Sequence, residues 1–276
     1  MAPINRARFP ERFARSMREK TPGPPGGNVS LARALSKLGF CSRAQARELI
    51  ESGRVSVKGR TLRNPEARVR PENAGIRVDG RQARPAPFQY VMMHKPKGVI
   101  TTRSDERGRK TVYGLLGAGS AWLFPVGRLD KETSGLLLLT NDTQWGNRIG
   151  APESQVQKVY HVKVNRRVDP EDLGRLSAGI PLPEGIHAAA SPTRLLRHTE
   201  KGSWIEVALT EGRNRQVRRM CEALGFRVEN LVRVRIGALE LGRLLPGQTR
   251  RLTPEEVRRL APPSRPRPGT PEASAE

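Results

Sequence analysis

"GRLDKETSGLLLLTND", residues 127–142, joins a charged segment to a strongly apolar one. Asp130 lies two residues after Arg128 and directly before Lys131. A segment with the composition of a turn follows, and then four consecutive leucines. A short apolar run bounded by turn residues predicts a buried strand. The sequence therefore places a carboxylate between two cations at the start of a core strand, either as half of a surface ion pair or as a reactive group.

A second motif, "TEGRNRQVRRMCEALG" (residues 210–225), predicts a turn followed by a helix. The spacing i, i+3, i+4, i+7 gives that helix one buried stripe, formed by Val217, Met220, Cys221 and Leu224. Arg215, Arg218 and Arg219 lie outside the stripe. Because a helix N-terminus and several guanidinium groups converge here, the motif predicts an anion-binding site. A solvated arginine face is the alternative.

Two further segments contain candidate functional residues. "KVYHVKV" (residues 158–164) alternates as a strand does, and Tyr160 shares a face with two valines. Its ring either packs in the core or stacks on a nucleic-acid base. "HKPKG" (residues 94–98) carries Lys95 and Lys97 at the end of a strand, and is either a phosphate-facing loop or an ordinary turn.

The charge of the chain is strongly one-sided. Its 276 residues include 50 Lys and Arg against 27 Asp and Glu, a net charge of +23. Such an excess predicts a polyanionic partner, with nucleic acid as the leading candidate and an acidic membrane surface as the alternative. No apolar run is long enough to span a membrane and no apolar signal segment begins the chain, so we expect a cytoplasmic protein without a membrane partner.

The cysteines and histidines show no metal-binding pattern. Cys41 and Cys221 lie far apart and are expected to be small core residues rather than a disulfide. The four histidines form no recognised metal motif, so no metal site is expected.

The chain divides into four segments by composition. Residues 1–28 predict a disordered basic arm, and the proline-rich residues 261–276 predict a disordered tail. Residues 29–84 predict a small helical unit, with one helix ending at Gly39, a second opening on a capping box of Ser42 and Gln45, and a hairpin that turns at Lys58 and Gly59. Residues 84–88 read as a linker.

The two predicted helices of residues 29–84 each carry a pair of cations four residues apart. Arg33 pairs with Lys37, and Arg43 with Arg47, so each pair shares one helical face. Like charges on one face repel, and a phosphate backbone lying across them would relieve that repulsion. The four side chains are therefore candidate RNA contacts, and a merely solvated face is the alternative.

Residues 88–260 are rich in predicted strands. They include "FQYVMMHKPKG", "FPVGRLD", "GLLLLTND", "KVYHVKV", "SWIEVALTEG" and "VRIGALEL". Helices intervene without regular βαβ alternation, which indicates an α+β fold with a mainly antiparallel, mixed sheet.

Together these motifs resemble the RsuA-type ribosomal RNA pseudouridine synthases. "VGRLDKETSGLLLLTND" carries most of the resemblance, and "HKPKG", "KVY", "EGRNRQVRRM" and "LVRVRIGAL" occur in the order that the family has them. Residues 29–84 resemble the alpha-L RNA-binding module named after ribosomal protein S-four. The resemblance covers about residues 29–260, leaving out the two tails.

The resemblance implies a cofactor-free isomerisation of one uridine to pseudouridine in ribosomal RNA. The catalytic aspartate of the family corresponds to Asp130, its base-stacking tyrosine to Tyr160, and the arginine that pairs with the aspartate to Arg218. Arg213 and Arg215 are the alternatives for that pairing arginine and are candidate RNA contacts. Arg128 resembles the arginine that fills the space of the flipped-out nucleotide or holds neighbouring phosphates. The base must leave the RNA stack, and nearby arginines favour an ionised carboxylate that is shielded from water.

The stretch "TTRSDERGRKTV" resembles the large-subunit members, so 23S rRNA is the expected target and 16S rRNA the alternative. Pre-ribosomal particles are a further candidate partner, and a monomer is expected. The residues argue against two rival functions. A non-catalytic ribosome-assembly factor would be expected to lack the acid that is present as Asp130. A glycosidase using Asp130 with Glu132 would leave the charge of +23 unexplained.

Overall fold

The computed structural model describes residues 28–71, 75–84, 87–103, 105–116, 122–182 and 186–260. The predicted basic arm, apart from Asn28, and the predicted tail lie outside the described residues, and the predicted linker is described only in part. None of the described helices is long and apolar enough to cross a membrane.

The N-terminal unit combines two short helices with short strands. The helices are α1 (Leu31–Lys37) and α2 (Arg43–Glu51). The strands are β1 (Val29–Ser30), β2 (Val55–Val57), β3 (Arg60–Thr61), β4 (Arg68–Val69), β5 (Ile76–Val78) and β6 (Arg81–Gln82). Strands β3-β2-β5-β6 form one sheet and β1-β4 another. The helices pack Leu31, Leu35 and Ile50 into a core with residues of both sheets.

Local signals in this unit were predicted correctly. The Ser42 hydroxyl accepts a bond of 3.0 Å from the Gln45 backbone, and the Gln45 side chain accepts one of 3.2 Å from the Ser42 backbone, as in a capping box. Gly39 follows α1 with φ +70°. Lys58 and Gly59 turn the β2–β3 hairpin with φ +49° and +81°. Each of these features depends only on near neighbours in the chain.

The C-terminal unit is built on one nine-stranded sheet. Its strands, with the small β11–β12 hairpin that lies apart, are β7 (Tyr90–Lys95), β8 (Phe124–Val126), β9 (Ser134–Thr140), β10 (Lys158–Val164), β11 (Ile180–Leu182), β12 (Ile186–Ala188), β13 (Thr193–Thr199), β14 (Gly202–Leu209), β15 (Val228–Ile236), β16 (Leu239–Glu240) and β17 (Thr249–Arg251). The helices are α3 (Thr143–Gly150), α4 (Pro170–Ala178), α5 (Gln216–Ala223) and α6 (Pro254–Leu260).

The sheet confirms the predicted α+β class. Its strands run in the order β13-β14-β10-β15-β9-β7-β17, with β8 paired to β9 and β16 paired to β15. In the described residues every pairing between its strands is antiparallel except β15–β9. That parallel pair joins two antiparallel halves.

The four leucines of β9 pack on both faces of the sheet. Leu137 and Leu139 join an apolar cluster with α5, while Leu136 and Leu138 join a second cluster with α3 and α6. All four are 0 % exposed. A strand buried on both faces needs a continuous apolar run rather than an alternating one. This is why the four leucines alone predicted a buried strand.

Two other sequence predictions about packing are confirmed. Cys41 and Cys221 are buried free thiols, and burial raises their pKa to about 11 and about 12 respectively. The stripe on α5 is buried as predicted and consists of Val217, Met220, Cys221 and Leu224.

The predicted strand "FPVGRLD" was wrong in its second half. The strand ends at Val126, and residues 127–130 form an irregular loop. Gly127 has φ +74°, which lies outside the β region and therefore ends the strand. The predicted strand "VRIGALEL" is also placed differently, because β15 begins at Val228 and turns at Gly237 into β16.

The contact between β9 and β15 requires a glycine. Gly135 pairs with Arg233, and its φ is +108°. A Cβ atom at Gly135 would overlap the backbone nitrogen and oxygen of Arg233. Because the neighbour is backbone, it cannot move aside as a flexible side chain would. Only glycine therefore allows the two halves of the sheet to approach at this point.

We expect Gly135→Ala to lower the free energy of unfolding of the C-terminal unit by at least about 3 kcal/mol, from backbone strain and steric overlap. All three tryptophans lie in this unit, so denaturant unfolding followed by tryptophan fluorescence measures it. Gly174→Ala in α4 is the matched control, because a Cβ atom at Gly174 would meet nothing within 4 Å. The control should be neutral or stabilising by up to about 1 kcal/mol. An unchanged unfolding midpoint for Gly135→Ala would contradict the strain argument.

Candidate active site

Asp130 lies on a turn between β8 and β9 whose two ends are buried. The Thr133 backbone N–H donates to the Asp130 carbonyl oxygen at 3.1 Å and closes the turn. Leu129 and Thr133 are buried on either side, while Asp130 itself is half-buried. The carboxylate is therefore reachable from solvent but fixed by a rigid backbone.

The segment around "HKPKG" supports this loop from the side. The Thr101 hydroxyl donates to the Leu129 carbonyl oxygen at 2.8 Å and accepts from the Leu129 N–H at 3.3 Å. The Gly98 N–H donates to the Lys131 carbonyl oxygen at 2.8 Å. Both residues flanking Asp130 are thus hydrogen-bonded to the chain that follows β7.

Lys95 does not face phosphate, so its assignment as an RNA contact was wrong. Its side chain is 0 % exposed, and its ammonium donates to the carbonyl oxygens of Val99 at 2.6 Å and Pro96 at 3.1 Å. Burial lowers the pKa of Lys95 to about 8, although the nearby charges of Asp130 and Glu132 act in the opposite direction. The buried Lys95 side chain therefore binds backbone carbonyl groups of the segment that follows β7.

Lys97 differs from Lys95 in being exposed. Its ammonium lies 3.6 Å from the carboxylate of Glu132, and both side chains are about half accessible to solvent. An exposed ion pair of this kind contributes little to stability. Lys97 remains available to a phosphate, and its RNA contact stays a prediction.

A cavity of about 450 Å³ lies between the loop of Asp130 and the segment that precedes α5. It brings together residues predicted from three separate motifs, namely Arg128, Asp130, Tyr160, Arg213 and Arg215. Tyr160 is buried in the larger apolar cluster and also contributes to the cavity lining, so the sequence alternatives of core packing and base contact are compatible.

The turn before α5 is ordered by a small polar network. Glu211 accepts from the Arg213 guanidinium at 2.9 Å, and the Gln216 side chain accepts from the Arg213 N–H at 3.1 Å while its amide donates to Glu211. Arg215 precedes the helix in the left-handed conformation, with φ +49°. The network fixes the backbone on the side of the cavity opposite Asp130.

Arg218 connects α5 to the loop of Asp130 through the backbone. Its guanidinium donates to the Glu132 carbonyl oxygen at 2.8 Å and to the Val228 carbonyl oxygen at 3.3 Å. Burial lowers the pKa of Arg218, and the charge of Asp130 acts in the opposite direction. Within the described residues the two side chains form no ion pair up to 4.0 Å, and Arg218 is absent from the cavity lining. Direct pairing of Arg218 with Asp130 stays a prediction.

Comparison with known proteins gives a consistent result. Residues 89–223 match the family model described as RNA pseudouridylate synthase, and residues 29–74 match the S4 domain. An uncharacterized RNA pseudouridine synthase of Aquifex aeolicus is 39 % identical over 224 residues, covering 80 % of this chain and 89 % of that protein. The ribosomal large subunit pseudouridine synthase B of Bacillus subtilis is 39 % identical over 221 residues, covering 80 % and 90 %.

The chain belongs to the RNA pseudouridylate synthase family. A crystal structure of a pseudouridylate synthase superposes with a TM-score of 0.60 at 29 % identity, covering 84 % of this chain and 99 % of that one. The protein is therefore an enzyme, an isomerase, with an S4-type RNA-binding domain before its catalytic fold.

Sequence reasoning missed two cations of this synthase that line the cavity. Arg233 on β15 is 4 % exposed, and its Nε donates to the Leu136 carbonyl oxygen at 2.8 Å. Lys158 on β10 donates to the Thr210 carbonyl oxygen at 3.0 Å, and burial and then the charge of Arg233 lower its pKa. The sequence signal that could have identified Arg233 was an arginine between apolar residues of a strand, in "LVRVRI" (residues 231–236).

A second cavity, of about 500 Å³, also borders the Asp130 loop. Arg128, Leu129 and Asp130 line both cavities. Its remaining lining comes from Lys131 and from the segment "ITTRSDERGR", including Arg107 and Arg109. The exposed Arg128 thus lies between the two cavities. In the described residues no group of three or more His, Cys, Asp or Glu side chains is arranged to hold a metal ion.

The candidate cations of the S4 domain are all exposed. Arg33 and Lys37 lie on α1, and Arg43 and Arg47 lie on α2. Arg47 is partly neutralised by Glu66, whose carboxylate lies 2.9 Å from its guanidinium. The exposure of these residues agrees with an RNA-facing surface, and their contacts stay predictions.

Thr101→Val should lower turnover about tenfold, because it removes both hydrogen bonds to the Leu129 backbone and loosens the loop of Asp130. RNA affinity should not change. The matched control is Thr199→Val, since the buried Thr199 hydroxyl has no partner among the described residues. Single-turnover pseudouridine formation and filter-binding affinity are the measurements. Equal turnover in the two variants would show that Thr101 does not position the loop.

Proposed function

We propose that this synthase isomerises one specific uridine of ribosomal RNA to pseudouridine, with Asp130 as the catalytic nucleophile. One observation carries the proposal: a single cavity of about 450 Å³ is lined by both Asp130 and Tyr160, which come from different motifs. The volume is in the range of pockets that take one small ligand. A uridine turned out of its helix is such a ligand.

Three residues have separate roles in the proposed reaction. Tyr160 stacks on the flipped uracil from the floor of the cavity. Asp130 attacks carbon 1′ of the ribose, the bond to uracil N1 breaks, and the freed base turns and rejoins through carbon 5. Arg128, exposed at the junction of the two cavities, holds the phosphates beside the flipped nucleotide.

Two buried cations, Lys95 and Arg218, lie close enough to Asp130 to respond to its charge. The negative charge of Asp130 opposes the lowering of the pKa of Lys95 and of Arg218 that burial causes. A nucleophilic carboxylate has to be ionised while substrate excludes water from it. Lys95 and Arg218 place buried positive charge near Asp130 without forming an ion pair with it among the described residues.

We further propose that residues 29–84 supply affinity and residues 88–260 the chemistry. The net charge of +23 and the exposed cations of the S4 domain support this division. Association is then driven by counterion release from the RNA backbone, which does not depend on the RNA sequence. A monomer that acts in the cytoplasm, on free rRNA or on pre-ribosomal particles, belongs to the same proposal.

The proposed target is 23S rRNA, with 16S rRNA as the alternative. Relatives at 38–39 % identity in Yersinia pestis and Bacillus subtilis are named ribosomal large subunit pseudouridine synthase B. The stretch "TTRSDERGRKTV", which resembles the large-subunit members, contributes most of the second cavity. That cavity lies next to Asp130 and is suited to nucleotides that flank the target.

A glycosidase based on Asp130 and Glu132 is not supported by the geometry. Glu132 is exposed, its carboxylate lies beside Lys97, and it is absent from the lining of both cavities. Two carboxylates that flank one glycosidic bond have to reach the same substrate. Glu132 instead provides a matched control for Asp130.

Asp130→Asn should lower pseudouridine formation by at least about four orders of magnitude, because it removes the nucleophile at constant side-chain size. Fold and RNA affinity should remain near those of the wild type. Glu132→Gln removes an equal charge two residues away and should keep most of the activity. Tritium release from carbon-5-labelled uridine, melting temperature and RNA affinity are measured on both variants. A well-folded Asp130→Asn protein with measurable turnover would refute the catalytic assignment.

Mapping of pseudouridines in both rRNAs, from a strain that lacks this gene and from its parent, tests the target. We expect one 23S position to lose its pseudouridine, and a plasmid encoding the wild type, but not Asp130→Asn, to restore it. Loss at a 16S position would select the alternative target. Unchanged rRNA in the deletion strain would refute an rRNA substrate.

A further inference from the structure

Two cations in the lining of the cavity have no acidic partner. In the described part of the chain neither Arg233 nor Lys158 forms an ion pair with a carboxylate within 4.0 Å. The guanidinium nitrogen Nη2 of Arg233 is buried and has no hydrogen-bond partner among the described residues. Leaving a buried charge only partly satisfied is costly.

The register of the sheet places both cations beside Tyr160. Arg233 pairs directly with Tyr160 across β15 and β10, and Lys158 lies two residues before Tyr160 on the same strand. All three residues line the cavity. Directly paired residues, and residues two apart on a strand, present their side chains to one face. The surface that carries the stacking tyrosine therefore also carries two positive charges.

A purely structural role explains only part of this arrangement. The bond from Arg233 Nε to the Leu136 carbonyl oxygen fastens β15 to β9. It accounts for one nitrogen of the guanidinium and leaves Nη2 without a partner among the described residues. It also does not explain why Lys158, a second positive charge that Arg233 repels, lines the same cavity. Two repelling cations at the position of the base are suited to an anion that forms there.

We propose that Arg233 and Lys158 stabilise the uracil ring while it is an anion, between its release from carbon 1′ and its reattachment through carbon 5. The inference rests on the proposed function and adds two residues that act on the leaving base. Arg233 and Lys158 hold the base through its negative oxygens, while Asp130 holds the sugar.

The proposed reaction breaks the N1–C1′ bond and forms a C5–C1′ bond in its place. An Asp130 oxygen bonds to ribose carbon 1′, and the electron pair of the N1–C1′ bond passes to the uracil, where it spreads over N1 and the two ring oxygens. Carbon 5 then attacks carbon 1′ and the Asp130 carboxylate leaves. The proton on carbon 5 is lost and N1 gains a proton, so the product is an isomer of the substrate.

A base carrying fluorine at carbon 5 separates this role from a structural one. Fluorine withdraws electrons, so 5-fluorouracil is a more stable anion than uracil and needs less help in leaving. A residue that stabilises the leaving anion should matter less for 5-fluorouridine than for uridine. A residue that only supports the fold should matter equally for both.

The experiment measures single-turnover loss of the N1-linked nucleoside, by nuclease digestion and mass spectrometry, in matched RNAs that carry uridine or 5-fluorouridine at the target. Arg233→Gln should slow the loss of uridine about 100-fold, as removal of one donor from a developing anion does elsewhere. The defect on 5-fluorouridine should be about 10-fold or less. Arg233→Lys, which keeps a positive charge, should recover part of the uridine rate.

Arg235→Gln is the matched control, because Arg235 lies on the same strand, is half-buried and is absent from the cavity lining. It should change neither rate. If Arg233→Gln does not fold, Lys158→Gln decides by the same comparison of substrates. RNA affinity against salt concentration is measured alongside, since a phosphate contact would appear as a lower salt dependence.

Equal defects on the two substrates would overturn the proposal and leave Arg233 a structural residue. A loss of affinity with an unchanged single-turnover rate at saturating enzyme would also overturn it, in favour of a phosphate contact. These outcomes differ from a failure of the proposed function, in which the wild type itself converts no uridine in any rRNA-derived substrate.

Discussion

The close contact between Gly135 and the backbone of Arg233 is the constraint on which the catalytic unit depends. It joins the antiparallel half formed by β13, β14, β10 and β15 to the half formed by β9, β7 and β17. Gly135 is also the second residue of β9, directly after the turn that holds Asp130. A single contact therefore sets both the continuity of the sheet and the position of the carboxylate relative to Tyr160 on β10.

The same contact explains why the site contains so much buried positive charge. Pairing across four neighbouring strands places Lys95, Gly135, Arg233 and Tyr160 in one row. Glycine leaves no side chain between the two cations, and the charge of Arg233 lowers the pKa of Lys95 further after burial has lowered it. The acid that acts most strongly on Lys95 is Asp130, so the carboxylate proposed as nucleophile lies close to this row of cations.

Local patterns predicted the elements, but long-range contacts decided the site. The leucine run, the Ser42–Gln45 cap and the α5 stripe depend on residues within one or two turns of each other. Lys95 was misjudged because a lysine before Pro-Lys-Gly is typical of an exposed loop, and its burial arises from pairing with Gly135, far along the chain. Arg233 was missed because its importance comes from register, which the strand sequence alone does not give.

Exposed and buried cations in this synthase differ in how strongly water and salt screen their charge. Arg128 and the cations of α1 and α2 face water, where salt screens their attraction to phosphate within about 10 Å at 0.1 M. Arg233 is buried and Lys158 is half-buried in the lining of the cavity, where the surroundings are less polar than water and the same charge acts more strongly. In the proposed function, the exposed cations capture the RNA and the cations of the cavity act on the base. Affinity would then come from charges that are replaceable one by one, whereas the proposed chemistry depends on charges whose positions the sheet register fixes.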